Sequence, residues 1–594
     1  MFKNGTLFKA ILASAIICLP NWQESIAQDV ETTGGNAYSY RSQTRFHPEV
    51  AEHGMVTAIE TLAAEAGRDI LKAGGNAVDA AVATGFALAV THPVAGNIGG
   101  GGFMLISLPN LDHVVALDYR EMAPAAATRD MMLDSNGDYD PNLSLYTYLG
   151  TGVPGSVMGM TQALEKYGTM SLEQVMAPAI KLAEEGHILN YAKQREYQGG
   201  LEILKKDPSS IRYFLKKDGS PYKMGERLIQ KDLANTLKLI AKEGAKGFYE
   251  GKVADLIVKE MKTNRGLITL EDLKNYKAVE RQVLKGTFRG YDIYSMPPAS
   301  SGGVHLIELL NILEGYDLKS MGPNSADYIH VLVEAMRRVY ADRSEYLGDS
   351  DFYPVPIDKL TDKNYAAKLR ESIDLTHASR SEDIKPGLDM PYESPQTTHY
   401  SVMDKDGGAV SVTTTINVAF GGGGSVDGAG FLLNNEMDDF SAKPGAPNAF
   451  GLIGGVANQI EPGKRPLSAM SPTIIFKNGK PYMVTGSPGG STIITVVLQM
   501  VLNVLEFDMN IAEASAAPRI HHQWWPDKVV LEQGISQDTF AILKSRGFKL
   551  SGDRINSPGE NKTVMGRTNS IIFDNGVFTG YSDLRGIEHG VAGY

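Results

Sequence analysis

Apolar positions recur at helical spacing over Thr61–Ala73, where Leu62, Ala66, Ile70 and Leu71 share a face and Gly74-Gly75 supplies a stop. A second helix is predicted over Val78–Val90; its small, nearly all-apolar face (Ala80, Ala81, Ala83, Ala87) implies burial against another layer. Four glycines, Gly99 to Gly102, then precede the strand-like run Phe103–Leu108. A phosphate-binding fingerprint needs strand, then glycines, then helix, so this reversed order predicts a tight turn or a close backbone contact instead. Met170–Tyr276 reads as mostly helical and charged, an outer layer. Asp134-Ser135-Asn136-Gly137-Asp138 is a turn, because its glycine and the Leu145 that follows are wrong for a calcium loop. Periodicity vanishes over Thr376–Pro395, predicting a mobile connection and a domain boundary. Beyond it, Tyr400–Met403 and Ala409–Thr415 alternate as strands around Asp404-Lys405-Asp406-Gly407-Gly408, a hairpin signal that leaves Thr397 at the head of the first strand. Further strands are predicted at Thr473–Phe476, Tyr482–Thr485 and Ile571–Phe573, and a helix at Ile493–Leu505.

The 594 residues, 43% hydrophobic and 21% charged, suit a globular chain with a large core. The formal net charge of -12, with no long Lys/Arg run, argues against nucleic-acid binding. The chain opens with Lys3 and Lys9, an apolar run Ala10–Leu19 and Ser25-Ile26-Ala27, the pattern of a secretory signal over residues 1–27. That run is too short to span a bilayer, so no membrane attachment is expected after its removal. The single cysteine, Cys18, falls inside the signal. Disulfides, thiolate metal sites and a cysteine nucleophile are therefore excluded from the exported protein, which is expected in a bacterial periplasm or the medium.

The chemistry-bearing segment is Gln396-Thr397-Thr398-His399-Tyr400-Ser401-Val402-Met403-Asp404-Lys405-Asp406-Gly407, running on to Thr413-Thr414-Thr415-Ile416-Asn417. With Asp118–Pro124, Asn434–Phe440, Lys464–Pro472 and Gly486-Ser487-Pro488-Gly489-Gly490, it resembles the γ-glutamyltranspeptidases, members of the N-terminal-nucleophile hydrolases, over nearly the whole exported chain. Gly408 departs from the usual serine or asparagine of that signature.

The resemblance implies an α+β fold, the four-layer αββα sandwich, and self-cleavage between Gln396 and Thr397 into residues 28–396 and 397–594. The two fragments would share one core as a heterodimer. A threonine hydroxyl is a poor nucleophile near neutral pH, and a freed α-amino group, with a pKa of about 7.7–8.0, can act as its base. The resemblance places Thr415 beside the nucleophile and gives the backbone of Gly489 and Gly490 the oxyanion that forms on the attacked carbonyl. It gives the α-carboxylate of a γ-glutamyl group to Arg120 and Ser468, and the α-amino group to Asn417, Glu436 and Asp439. Ala469 stands where relatives carry a second serine. Phe450, in a lid-like loop over Lys443–Gly455, stands where some carry tyrosine. The implied substrates are glutathione and other γ-glutamyl compounds, with water, amino acids or peptides as acceptors.

No cofactor is called for. Adjacent His521 and His522 point to opposite sides of a strand, a poor metal site. Two alternatives stay open: a cephalosporin (glutaryl) acylase of the same superfamily, and a non-catalytic exported binding protein.

Overall fold

Two seven-stranded antiparallel sheets stack face to face in the computed structural model, which describes residues 46–385, 397–442, 455–551, 564–586 and 588–594. The first sheet runs, edge to edge, through Gly590–Gly593, Gly54–Ala58, Thr397–Asp404, Ala409–Thr415, Gly101–Ser107, Val115–Tyr119 and Val279–Gln282. The second runs through Glu49–Ala51, Val577–Ser582, Asn569–Asp574, Lys480–Thr485, Thr473–Lys477, Tyr291–Ser295 and Leu284–Phe288. Each sheet therefore interleaves strands from before and after Thr397.

Helices cover both outer faces. Thr61–Lys72, Ala77–Thr91, Ser156–Tyr167 and Leu172–Glu185 pack with the first sheet around one core. Gly302–Leu313, Ala326–Tyr346 and Thr492–Leu505 pack with the second around another. The result is the αββα order the resemblance implies. Ala77–Thr91 is buried along its whole length, as its small apolar sequence predicts. Its start is fixed by a capping box, in which the Asn76 side chain accepts from the amides of Val78 and Asp79 and the Asp79 carboxylate accepts from Asn76.

Between the sheets apolar residues such as Met55, Phe103, Leu105 and Met403 pack against the second sheet, and polar contacts join them. Ser401 Oγ donates to the carbonyl of Asn569, Ser411 Oγ to that of Thr485, and the hydroxyls of Thr485 and Ser570 lie 2.7 Å apart. These groups are buried; the Ser401 and Ser411 hydroxyls reach the facing sheet, while the Thr485–Ser570 pair links neighbouring strands of the second sheet, so the seam specifies register as well as contact.

Part of the expected mobile connection is held. Ser381 Oγ donates to the carbonyl of Trp524, and Trp524 Nε1 donates back to the Ser381 carbonyl at 2.9 Å. Residues 386–396, together with the expected signal over 1–27 and residues 443–454 of the expected lid, lie outside the described residues. Among the described residues no helix is long and apolar enough to cross a membrane.

A buried charge cluster joins the chain's beginning to its end. Glu60, the N-cap of Thr61–Lys72, accepts from Lys193 Nζ at 2.6 Å and Thr91 Oγ1 at 2.7 Å; Glu588 lies 3.8 Å from the same ammonium and accepts from the amide of Thr61. Removing the cation would leave two carboxylates buried without it. Lys193→Met is therefore expected to destabilise the protein by about 3–5 kcal/mol, read as a lower denaturant midpoint, whereas a solvent-screened surface pair such as Lys319–Asp508 should give less than about 1 kcal/mol when broken.

Candidate active site

The hairpin Thr397–Asp404/Ala409–Thr415 pairs Thr397 with Thr415, His399 with Thr413 and Ser401 with Ser411. A strand alternates faces, so these six polar side chains point into the seam between the sheets, while Tyr400, Val402, Val410 and Val412 point into the helix-covered core. Thr397 thereby stands at the open end of the seam with Thr415 directly across from it. A Cβ on Gly408 in the hairpin turn would lie 2.2 Å from Asp404 Oδ2, the oxygen that accepts from the amide of Ala77, so a larger residue there needs that carboxylate to shift.

The glycine cluster makes the close contact its order implies. A Cβ on Gly100 would lie 2.0 Å from the Thr415 carbonyl, and one on Gly102 would lie 2.4 Å from that of Thr413. Past Thr415 the chain leaves the sheet through Asn417, whose φ of 72° is the left-handed conformation asparagine tolerates. Its amide donates to Thr415 Oγ1 at 2.8 Å and its side-chain Nδ2 to the Asn435 carbonyl at 2.9 Å.

His399 ties the strand Thr397–Asp404 to the next element. Its ring bridges Thr413 Oγ1 at 2.9 Å and Ser401 Oγ at 3.0 Å, and burial pushes its pKa down to about 3, so it is neutral at working pH. The backbone of Gly486 packs so tightly on that ring that a Cβ there would lie 2.4 Å from it. Gly486 opens the run to Gly489 and Gly490, whose φ values are 140° and 56°. The carbonyl of Pro488 accepts from Ser487 Oγ, that of Gly489 from the amide and hydroxyl of Thr492, and that of Gly490 from the amide of Ile493. In a planar trans peptide the N–H opposes the preceding carbonyl, so anchoring the Pro488 and Gly489 carbonyls turns the N–H groups of Gly489 and Gly490 the other way. Gly490 lines the cleft and Gly489 sits one residue behind it.

Arg120 follows directly on Val115–Tyr119 and is almost fully buried. Its guanidinium pairs with Glu436 and Asp439, donates from Nε to the Pro466 carbonyl at 3.2 Å and lies 3.6 Å from Glu121. One cation thus faces three carboxylates. Burial raises the pKa of Glu121 to about 7, more than Arg120 lowers it, and raises that of Glu436 well above its ordinary value for the same reason. Ser468 is held through its backbone, its carbonyl accepting from the amide and hydroxyl of Ser301 and its amide donating to Ala299; its Oγ accepts from the amide of Met470.

One small cleft brings together Arg120, Thr397, Thr415, Asn417, Glu436, Asp439, Ser468 and Gly490. Ala469 lines it too, and so do Met470 and Ile493, apolar walls that no motif marks. Gln396 and Phe450 lie outside the described residues. Arg120 and the two acids, which the resemblance gives to opposite ends of a ligand, pair with each other. His521 and His522 stay apart as expected, the first between Thr495 and Gln523, the second near Asp527.

Such a cleft suits acyl transfer. A hydroxyl stands at its mouth, an oriented N–H turn lies alongside, and a cation and anions lie where a zwitterion's charges could exchange for them.

Residues 63–593 match the sequence profile of gamma-glutamyltranspeptidase. A glutathione hydrolase proenzyme of Escherichia coli (strain K12) is 53% identical over 551 residues, covering 92% of this chain and 93% of that one. The crystal structure of Helicobacter pylori gamma-glutamyltranspeptidase is similar with a TM-score of 0.54 and 51% identity, over 55% of this chain and 94% of that chain. The crystal structure of cephalosporin acylase from Bacillus halodurans is similar with a TM-score of 0.81 and 28% identity, over 94% and 99% of the two chains.

The raised carboxyls carry a sign for stability. Glu121, with a native pKa near 7 against an ordinary 4.5, keeps a proton that the unfolded chain releases between those values, so stability falls as pH rises through that window. Glu121→Gln, which cannot ionise, should flatten the decline between about pH 5 and pH 8 and gain on the order of 1–3 kcal/mol over the parent at the upper end, measured by denaturant unfolding across pH.

Proposed function

The chain belongs to the γ-glutamyltranspeptidase family, and from that premise we propose that it is an exported, self-processing γ-glutamyltransferase and glutathione hydrolase in which Thr397 is the nucleophile. Residues 1–27 are removed on export to the periplasm or the medium, and the chain cuts itself between Gln396 and Thr397, leaving residues 28–396 and 397–594 as a heterodimer. The interleaved sheets support the shared core, since separating the fragments would strip strands from both sheets.

In the cut protein the Thr397 α-amine takes the proton of its own hydroxyl as the oxygen attacks the γ-carbonyl of glutathione or another γ-glutamyl amide. The N–H groups of Gly489 and Gly490 receive the negative charge that develops on the carbonyl oxygen. Collapse of the tetrahedral species breaks the C–N bond. The departing amine takes the proton and the γ-glutamyl group stays as an ester on Thr397. Water, or the amine of an amino acid or peptide, then attacks the ester, gives up a proton and restores the hydroxyl. Thr415, across the hairpin from Thr397, positions that hydroxyl.

The observation that carries the substrate class is the three carboxylates around Arg120. A γ-glutamyl end is a zwitterion: its α-carboxylate takes over Arg120 with Ser468, and its α-ammonium takes over Glu436 and Asp439 with Asn417, so the pocket's charge balance is kept. A glutaryl group has no ammonium and would add a net negative charge to a buried, already acid-rich site. The acylase reading is disfavoured on that ground, although the fold is shared with a cephalosporin acylase.

Purified protein is expected to run as two bands on a denaturing gel, the smaller beginning at Thr397, to co-elute as one species without denaturant, and to release the amine from a γ-glutamyl anilide. Thr397→Ala should stay a single uncut chain with activity reduced at least about 10⁴-fold. A glutaryl anilide turned over as fast as the γ-glutamyl one would overturn the substrate assignment.

A further inference from the structure

The Gly489-Gly490 turn is built from the residues least able to hold a conformation by themselves, both at positive φ, and the helix it feeds, Thr492–Leu505, has no side-chain cap at its first turn. Within the turn the Gly489 carbonyl is held by Thr492 and the Gly490 carbonyl by Ile493, and clamps at its two ends fix where that unit sits. On the upstream side the clamp is the His399 ring against Gly486. On the downstream side it is Ser491, whose carbonyl accepts from the hydroxyl of Tyr340 and whose Oγ donates to Gln523 Oε1 at 2.8 Å.

Tyr340 lies on Ala326–Tyr346, in the part of the chain ahead of Thr397, whereas Ser491 lies behind it. The phenol is fully buried. Its ring stacks on His305 at 6.4 Å and meets the edge of His521 at 5.7 Å and 86°, so ring packing holds it independently of the hydroxyl. Gln523 Oε1, the acceptor for Ser491, is also 2.9 Å from His521 Nε2, which closes the support around the turn.

Resting on the acyl-transfer reading, we infer that Tyr340 is a positioning residue for the oxyanion-binding N–H pair: a hydroxyl from one fragment fixes the Ser491 peptide, and through it the Gly489-Gly490 turn, of the other. No substrate atom touches it. Without that hydroxyl the Ser491 carbonyl is buried with one donor fewer, and the downstream end of the glycine turn is held less tightly. Ground-state binding of the α-carboxylate and α-ammonium, which use Arg120 and its neighbours, is untouched. The cost falls on the tetrahedral species, where N–H alignment counts.

The test is Tyr340→Phe, which keeps the ring and removes the hydroxyl, assayed as cut, heterodimeric protein with active sites counted by a covalent γ-glutamyl-type label. For a γ-glutamyl anilide, kcat per active site should fall about 5–30-fold while KM stays within about twofold. A glutamate analogue with a boronic acid in place of the γ-carboxyl, which binds as a tetrahedral adduct, should lose affinity by a similar factor, whereas inhibition by glutamate itself should not change. A merely structural role would lower the melting temperature or the cut fraction and leave kcat per site alone. Unchanged kcat per site, or parallel loss of kcat and glutamate affinity, overturns the inference. Should Tyr340→Phe remain uncut, Ser491→Ala loosens the same residue from its other side and is read by the same assay, with the same outcomes deciding. Parent protein that releases no amine at all would count against the proposed function instead.

Discussion

The pairing of Thr397 with Thr415 at the open end of a polar seam between two sheets is the constraint on which the rest of the site depends. Period-two alternation sends Thr397, His399 and Ser401 inward together, and a slip of one residue would send all three into the apolar core instead. Register is pinned on both sides of the hairpin, by Gly54–Ala58 on one edge and Gly101–Ser107 on the other. The glycines at 100 and 102 allow that second neighbour to approach the hairpin closely. His399 then passes the placement on to Gly486 and the turn that follows, so Thr397 and the Gly489-Gly490 turn are set by one continuous chain of contacts.

Charge is handled differently from shape. Arg120 is buried with more carboxyl partners than it can neutralise, and burial raises the pKa of Glu121 and of Glu436. A pocket of this kind is poised for a ligand that brings a positive group of its own. It penalises one that brings only a carboxylate, and so selects by net charge before any detailed fit is considered.

Much of this was legible along the chain. The helices at Thr61 and Ala77, the hairpin, the helix from Thr492 and the close-packed glycines all follow from local periodicity and order, because each depends on near neighbours. The motif residues were legible only through family resemblance: a threonine at the head of a strand, or a Pro-Gly-Gly turn, has many ordinary explanations. Three features were not legible at all. Ser381 sits in a stretch with no periodicity and is held by Trp524 and Arg337, partners distant in sequence. The salt links between Arg120 and the acids near 436 join segments more than three hundred residues apart, so sequence assigns them separate tasks where the fold makes them one cluster. Met470 and Ile493 wall the cleft only because a loop and a helix converge there.

The alternation of strand origins within each sheet gives maturation a direction. Before the proposed cut, every strand reaches its neighbour along a single covalent path, and folding is a unimolecular search. Afterwards the same architecture belongs to two molecules, neither of which carries a whole sheet, and regaining it from the unfolded state requires an encounter between them. The finished protein is then long-lived through its unfolding barrier rather than through reversible equilibrium, and material once denatured should recover in proportion to its concentration, if it recovers.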